Sequence, residues 1–180
     1  RLGKEGVLLL MSDSTNAERT GYSMSERKVG ASFDAYFKGC DRRIIVATFA
    51  SNVDRIQQII NTAIKYKRKV AVSGRSMENI LKVALELGYL NVPGKALIEL
   101  SQINRYPKEQ LVVITTGSQG EPMSALYRMA FTGHRQIEVG KDDRIIISAS
   151  PIPGNEKAIS QMVNELFRRG ADVVYNAIAD

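Results

Sequence analysis

The stretch that decides the fold of this chain is Leu111–Pro122, which reads LVVITTGSQGEP. Its first part, Leu111–Ile114, is a run of branched apolar residues and predicts a buried strand. A turn rich in hydroxyls and glycines follows over Thr115–Glu121, and a helical pattern then covers Met123–Phe131, with Pro122 suited to its first turn. A strand, such a turn and a helix N-terminus together make an anion site, because the helix end offers unpaired N–H donors and a positive dipole end. No Gly-Lys-Ser/Thr follows, as it would in a nucleoside-triphosphate loop, and a plain connecting turn has a similar composition.

Strands and helices alternate along most of the chain. Apolar runs predict strands over Val7–Met11, Arg43–Phe49, Lys69–Ser73, Gln136–Val139, Arg144–Ser148 and Asp172–Tyr175, with Ala96–Leu100 as a further short candidate. Amphipathic patterns predict helices from the N-cap Ser25 to Lys38, over Asn52–Tyr66, over Met77–Leu87 after the N-cap Ser76, over Ser101–Tyr106 and over Asn155–Arg169. The strands are continuously apolar rather than alternating, as in a parallel sheet that is covered on both faces. The sequence therefore predicts an α/β fold: a doubly wound, mostly parallel sheet with helices on both faces.

Composition narrows the classes of function. The formal net charge of +6 and pI of about 9.5 make a polyanionic partner plausible. Cys40 is the only cysteine, which excludes an intramolecular disulfide and favours a reducing compartment such as the cytoplasm. No signal peptide and no membrane-spanning apolar run is evident. His134 is the only histidine, so a histidine-rich zinc site is excluded, and its setting between a helix and a strand favours a surface position over a catalytic one.

Polar turns follow the predicted strands with unusual regularity. They are Ser12–Asn16, Ser51–Asn52, Ser73–Ser76, Thr115–Glu121 and Ser148–Asn155. In a parallel sheet these turns share one edge, where open α/β folds bind phosphates, sugars and nucleotides. The alternative is that Ser, Asn and Gly are simply good caps and turn formers. Likewise Asp13 is either an acid–base helper or a turn former, Arg75 either grips a phosphate or lies on the surface, and Glu121 most simply completes a helix start.

Six stretches, taken in order, resemble a known family. They are SDSTN at Ser12–Asn16, SERKVG at Ser25–Gly30, RIIVATFASN at Arg43–Asn52, GRSM at Gly74–Met77, TTGSQGEPMSAL at Thr115–Leu126 and SPIPGNE at Ser150–Glu156. Together they resemble ribonuclease J, the bacterial and archaeal branch of the metallo-β-lactamase enzymes that carry a β-CASP domain. The resemblance spans essentially the whole chain, and the GSQGEP and SPIPGN stretches are quite specific.

The resemblance implies a metal-dependent ribonuclease. In this family a metallo-β-lactamase domain holds two zinc ions, and an inserted β-CASP domain closes over single-stranded RNA. The enzymes cut RNA internally and degrade it from the 5′ end, with a preference for a 5′ monophosphate. Asp13 matches an acid of the first β-CASP motif that supports the active site through a histidine of a later motif. The RNA-facing loops of the family correspond to Ser51, Asn52, Gly74, Arg75, Ser76, Gly117, Ser118, Gln119, Gly120 and Glu121.

The departures from the family pattern define the expected role of this chain. The His-x-His-x-Asp-His zinc motif is expected before Arg1 and the later histidine motifs after Asp180, so residues 1–180 are interpreted as a single excised β-CASP domain. We expect it to bind single-stranded RNA and its 5′ phosphate beside the metallo-β-lactamase domain of the same polypeptide. Alone it is expected to hold no metal and to be inactive, and the full-length enzyme to be a cytoplasmic homo-oligomer. The rival hypotheses are a self-contained sugar-phosphate or nucleotide-binding α/β protein and a purely structural dimerisation module.

Overall fold

A parallel sheet forms the centre of the fold. The computed structural model describes residues 1–14, 17–18, 20–21 and 26–175, with only the backbone of 26–28. Within these ranges the sheet has five strands in the order β2-β3-β1-β4-β5, which are β1 Arg43–Ala47, β2 Lys69–Ser73, β3 Leu111–Thr115, β4 Asp143–Ile147 and β5 Asp172–Val174. All neighbouring strands are parallel, and Ile45 of the central strand pairs with Val113 on one side and Ile145 on the other. The predicted α/β fold is confirmed, with a sheet that is wholly parallel.

Two helices precede β1, and the later ones lie between successive strands. They are α1 Leu2–Glu5, α2 Glu26–Phe37, α3 Val53–Lys65, α4 Arg75–Glu86, α5 Ala125–Tyr127, which continues as a π-helical turn over Arg128–Thr132, and α6 Glu156–Arg168. Two short 3-10 helices, Leu100–Arg105 and Lys108–Gln110, precede β3. The predicted helices over Asn52–Tyr66, Ser101–Tyr106 and Asn155–Arg169 are confirmed to within a residue or two. The predicted N-cap Ser25 lies outside the described residues.

Each face of the sheet is covered by its own hydrophobic core. Alternate residues of the central strand enter opposite cores, since Ile44 and Val46 belong to one and Ile45 and Ala47 to the other. Side chains of α2, α3 and α4 fill the first core, and those of α5 and α6 fill the second. A strand buried on both faces needs apolar residues at every position, which explains the uninterrupted apolar runs. Because both faces of the sheet are buried, each face carries its own layer of helices.

The prediction of a strand over Val7–Met11 is wrong for the described residues. The segment has neither helical nor strand structure, and its side chains are exposed, with Leu8 completely so. An apolar run indicates that a segment will be buried, but it does not identify the surface that buries it. The described residues offer this segment no such surface.

Two further strand predictions need correction. Gln136–Val139 forms no strand, although Ile137 and Val139 are buried in the second core. Ala96–Leu100 makes only an isolated bridge, at Leu97 opposite Val70. Apolar side chains at alternate positions are therefore compatible with an extended segment that packs on a core without joining a ladder.

Two helix starts also differ from prediction. Helix α4 begins at Arg75 with Gly74 as its N-cap, so Ser76 lies inside the first turn and does not cap it. The helix after β3 begins at Ala125, capped by the Ser124 side chain, and not at Met123 with Pro122 in its first turn. The observed starts, Arg75 and Ala125, each lie two residues from the predicted starts, Met77 and Met123. Helix boundaries are commonly uncertain by this amount.

Candidate nucleic-acid interface

The loops that follow β1 to β4 lie along one edge of the sheet, hereafter the carboxyl edge. All five strands are parallel, so their C-terminal ends meet at this edge. The predicted gathering of polar turns is confirmed for four of the five turns. The fifth, Ser12–Asn16, follows no strand, and Thr15 and Asn16 lie outside the described residues.

The strand order opens a crevice between β2 and β3 at the carboxyl edge. The chain leaves β2 towards α4 on one face of the sheet, whereas it leaves neighbouring β3 towards α5 on the other face. Adjacent strands whose connections diverge in this way leave a gap between them, and ligands of open α/β sheets bind in such gaps. The fold therefore places a binding crevice here before any side chain is considered.

A cavity of about 750 Å³ occupies this crevice, hereafter the edge cavity. Its first wall is the turn Gly74–Ser76 and its second wall includes Thr116, Ala125 and Arg128, with the segment His134–Gln136 alongside. The walls meet at Gly74, where an added Cβ would lie 2.6 Å from the Thr116 Oγ1. This volume lies within the range of about 300–1,000 Å³ that is typical of small-molecule sites.

The N-terminus of α4 borders the edge cavity without a side-chain cap. Helix α3 is capped by Asn52, whose Oδ1 accepts a hydrogen bond from the Arg55 N–H at 3.0 Å, but Gly74 has no side chain to cap α4. The first-turn N–H groups of this twelve-residue helix thus lack a side-chain acceptor. With the exposed side chains of Arg75 and Ser76 beside them, they form a set of donors suited to a phosphate.

Ser73 and His134 form a hydrogen-bonded pair on the cavity lining. The Ser73 Oγ lies 3.1 Å from the His134 Nε2, and the Gln136 N–H donates to the His134 Nδ1 at 3.3 Å. Since Nδ1 accepts, the neutral ring carries its proton on Nε2 and donates it to Ser73. Burial lowers the pKa of the His134 imidazole, and the positive charge of Arg128 lowers this pKa further. His134 is therefore neutral at pH 7, and it lies partly exposed on the lining of the edge cavity.

The charges of the edge cavity favour an anion. Among the described residues three arginines, Arg75, Arg128 and Arg135, line it, against the single acid Glu78. The Arg128 Nε is buried and has no hydrogen-bond partner in the part of the chain that the structure describes. Cationic walls of this kind attract phosphate groups, and guanidinium groups can bind them in a bidentate manner.

The buried side chain of Gln119 joins the loops that follow β3 and β4. Its Nε2 donates to the Ser150 carbonyl at 3.0 Å, and its Oε1 accepts from the Ile152 N–H at 2.8 Å and from the Asn155 Nδ2 at 3.3 Å. Its amide is thus engaged within the protein. The Gln119 backbone N–H donates to the Glu121 carboxylate at 3.1 Å, which holds the turn in shape.

Gly117 and Gly120 allow this turn to pack closely on its surroundings. Both have positive φ angles, of 112° and 71°. A Cβ on Gly120 would lie 2.7 Å from the backbone carbon of Ala158 in α6, and one on Gly117 would lie 2.5 Å from the Ser124 Oγ. The space that glycine leaves free is therefore filled by the protein itself.

A comparison with protein families decides what kind of domain this is. The family model described as the β-CASP domain of ribonuclease J matches residues 41–166. This chain belongs to the ribonuclease J β-CASP family. The prediction of the family from the motifs is confirmed.

Curated relatives agree with the family assignment. The chain is 48% identical to a Ribonuclease J of Helicobacter pylori over 96% of its length, and 47% identical to one of Thermus thermophilus over 96%. It is 49% identical to a Ribonuclease J of Mycobacterium tuberculosis over 99% of its length. It spans only 25%, 30% and 32% of these three relatives, respectively.

The structure divides the residues predicted for this β-CASP domain into three groups. Gly74, Arg75 and Ser76 line the edge cavity together. The second group, Gly117 to Gly120, is buried and does not line the cavity, whereas Glu121 is exposed. The third group lies away from the cavity lining: Ser51 is exposed, Asn52 caps α3, and Asp13 is exposed in the N-terminal segment.

Sequence reasoning did not place Thr116, Arg128, His134 or Arg135 at a binding cavity, although all four line the edge cavity of this β-CASP domain. Nothing local distinguishes Arg128 from other helical arginines, and His134 meets Ser73 from 61 positions away. The sequence analysis predicts helices on both faces of the sheet but does not assign the helix after β3 to a face, so it could not place Arg128 near the end of β2.

Neither a metal cluster nor a membrane span is found in the described part of this β-CASP domain. Three or more His, Cys, Asp or Glu side chains nowhere gather there in a way that could hold a metal ion. The described residues thus do not fit a zinc site. None of the helices formed by these residues has the length and apolar character needed to cross a bilayer.

Proposed function

We propose that this chain is the RNA-binding part of a ribonuclease J-like enzyme and that it holds the 5′ phosphate of single-stranded RNA at the Gly74–Ser76 turn. The observation that carries the proposal is the uncapped N-terminus of α4, which borders a cationic cavity at the carboxyl edge. The first-turn N–H groups, the Arg75 guanidinium and the Ser76 hydroxyl supply the donors. A terminal phosphate carries more negative charge and more free oxygens than an internucleotide phosphate, and an RNA with a 5′ hydroxyl has no terminal phosphate. This group of donors therefore favours RNA with a 5′ monophosphate over RNA with a 5′ hydroxyl.

The remaining predicted residues have supporting or separate roles in this proposal. Gly117, Ser118, Gln119 and Gly120 support the second wall of the cavity, because they are buried and the Gln119 amide is bonded within the protein. Ser51, Asn52 and Glu121 extend the RNA-facing edge beyond the cavity. Asp13 assists the active site as a supporting acid.

The chemistry of hydrolysis is proposed to reside outside this chain. We infer that two zinc ions are bound by a metallo-β-lactamase domain of the same polypeptide and supply an activated water there. The length of the relatives, of which this chain spans about a quarter to a third, supports a larger enzyme. We further propose that the enzyme is a cytoplasmic homo-oligomer and that residues 1–180 alone do not cleave RNA when zinc or manganese is added.

The test compares 5′-monophosphorylated with 5′-hydroxyl oligoribonucleotides of the same sequence. Binding is measured with the full-length protein in a chelating buffer that keeps the RNA intact. Arg75→Gln is expected to remove a preference of about tenfold for the 5′ phosphate, the order expected for one hydrogen-bonded charge pair. Arg105→Gln is the matched control, because Arg105 is an exposed arginine outside the cavity lining.

Two results would contradict the proposed 5′ phosphate site, and a third would contradict the proposed location of the chemistry. One is an equal loss of affinity in both variants with the 5′ preference unchanged, which would make the effect of Arg75 a general charge effect. The other is tight binding of a mononucleotide with no gain from a longer RNA, which would favour the rival small-ligand protein. Cleavage of RNA by the isolated chain with added metal would contradict the proposed location of the chemistry.

A further inference from the structure

The second wall of the edge cavity carries a cation, Arg128, for which the described residues supply no ion-pair partner. Arg128 begins the π-helical turn after α5, and its backbone is fixed there by a hydrogen bond from its N–H to the Ser124 carbonyl at 3.1 Å. Its Nε is buried and unpartnered among the described residues. Buried polar groups of folded proteins are nearly always paired, and a guanidinium nitrogen left unpaired is costly. Arg128 also lines the edge cavity, so a phosphate bound there would give this guanidinium group the anionic partner that the described residues do not provide.

The neighbours of Arg128 do not supply the missing acceptor. His134 is neutral, and its Nε2 proton is directed to the Ser73 Oγ. Glu78, the one acid of the described lining, belongs to α4 in the first wall and makes no ion pair with Arg128 within 4.0 Å. The second wall thus presents a positive charge to the cavity that no acid of the described residues compensates.

Arg128 and the proposed 5′ phosphate site lie on different walls of the edge cavity. Arg75 and Ser76 follow β2, whereas Arg128 follows β3, so the two cations approach the cavity from different loops. A phosphate held by the first turn of α4 would leave Arg128 free for a second acceptor. A polynucleotide offers one at a regular spacing, since a phosphodiester follows each nucleoside.

We propose that Arg128 binds the first internucleotide phosphate of an RNA whose 5′ phosphate lies at the Gly74–Ser76 turn. This inference rests on the proposed function, because it takes the 5′ end to be held at the first wall. The first nucleoside then spans the edge cavity from wall to wall, and the site takes the end of a polynucleotide chain in preference to a lone phosphate. The positive charge of the second wall thereby sets the direction in which the strand leaves the cavity.

The test neutralises single phosphates of the RNA. Full-length protein in a chelating buffer is titrated with 5′-monophosphorylated oligoribonucleotides that carry one uncharged methylphosphonate, at either the first or the fifth linkage. All oligonucleotides carry the same 2′-O-methyl groups beside both linkages, so that they differ only in charge. With the wild-type protein, neutralising the first linkage is expected to weaken binding about tenfold more than neutralising the fifth, as for the loss of one charged hydrogen-bonded pair.

The variants assign this effect to a side chain. Arg128→Gln is expected to make the two modified oligonucleotides bind equally while it retains the preference for a 5′ phosphate, and Arg75→Gln is expected to show the reverse. Arg105→Gln, outside the cavity lining, should change neither difference. If Arg128→Gln lacks a cooperative thermal transition, Arg128→Lys replaces it, and the difference between linkages should shrink severalfold because a lysine cannot bind in a bidentate manner.

The outcomes separate this inference from the proposed function. Equal effects of the two linkages in the wild-type protein would overturn the inference. It would also be overturned if the first-linkage effect persisted in Arg128→Gln, or if that variant lost the 5′ phosphate preference instead. Failure of the proposed function itself would appear as equal binding of 5′-phosphate and 5′-hydroxyl RNA by the wild-type protein, whatever the linkage comparison shows.

Discussion

Replacement of Gly120 by alanine tests why the GSQGEP turn contains its second glycine. One explanation is that a ligand phosphate approaches the backbone there, and the other is that α6 does. The structure favours the second, because a Cβ on Gly120 would lie 2.7 Å from the carbon and 2.9 Å from the oxygen of the Ala158 backbone. Backbone atoms of a helix cannot rotate away as the end of a long side chain can.

The expected loss of stability has two parts. An L-residue at the φ of +71° costs about 1–2 kcal/mol, and forcing a methyl group against a packed backbone costs about 1–3 kcal/mol more. Gly88→Ala is the matched control, since Gly88 has a φ of +74° and its added Cβ would have no neighbour within 4 Å. Gly88→Ala should therefore lose only the first part, and the difference between the two variants should be about 1–3 kcal/mol.

Equilibrium unfolding of the 180-residue chain in urea measures this difference. The free energies of unfolding are compared at equal m-values, so that a change in the denatured state is not mistaken for strain in the native one. Equal losses in the two variants would refute the steric reasoning. If equal losses were accompanied by weaker RNA binding in Gly120→Ala alone, the ligand explanation of the glycine would replace it.

Two further predictions concern residues around the edge cavity. The pKa of His134 is lowered in the folded protein, mainly by burial, so the unfolded chain binds more protons once the pH falls below about 6.5. The stability linked to this group is complete above that pH and is lost as the pH falls through the folded pKa. The wild-type protein should therefore lose more stability between pH 7 and 5 than His134→Gln does, and a larger loss in the variant would contradict the sign. Gln119→Leu removes the amide oxygen that accepts a hydrogen bond from the Ile152 N–H. Exchange of the Ile152 amide hydrogen should therefore accelerate at least severalfold, while the amide hydrogens of β3 stay protected. Unchanged exchange at Ile152 would refute the link between the two loops.

The sheet was predictable from sequence because its strands are buried on both faces. The runs at Arg43, Lys69, Leu111 and Arg144 each became a strand of the parallel sheet. The same signal was wrong over Val7–Met11, which is exposed in the described structure. Apolar periodicity reports a tendency to be buried, whereas the existence of a ladder depends on a partner elsewhere in the chain.

The candidate site was predictable at the level of the sheet edge but not at the level of side chains. Parallel strands bring their C-terminal turns together, so Gly74–Ser76 was placed correctly at the carboxyl edge. Which turn faces the cavity and which lies behind it depends on the faces to which α4 and α5 cross. The pairing of Ser73 with His134 depends on contacts between distant segments, and no local pattern encodes it.

The most specific sequence motif and the cationic groups of the cavity lining are thus different parts of the molecule. The GSQGEP turn is seated on α6 by Gly120 and joined to the loop after β4 by Gln119, and it leads directly into the helix that carries Arg128. We infer that the motif determines where the second wall stands, while Arg75 and Arg128 determine what the cavity attracts. Substitutions in the turn should accordingly change stability and geometry first, and substitutions of the two arginines should change affinity while the fold is retained.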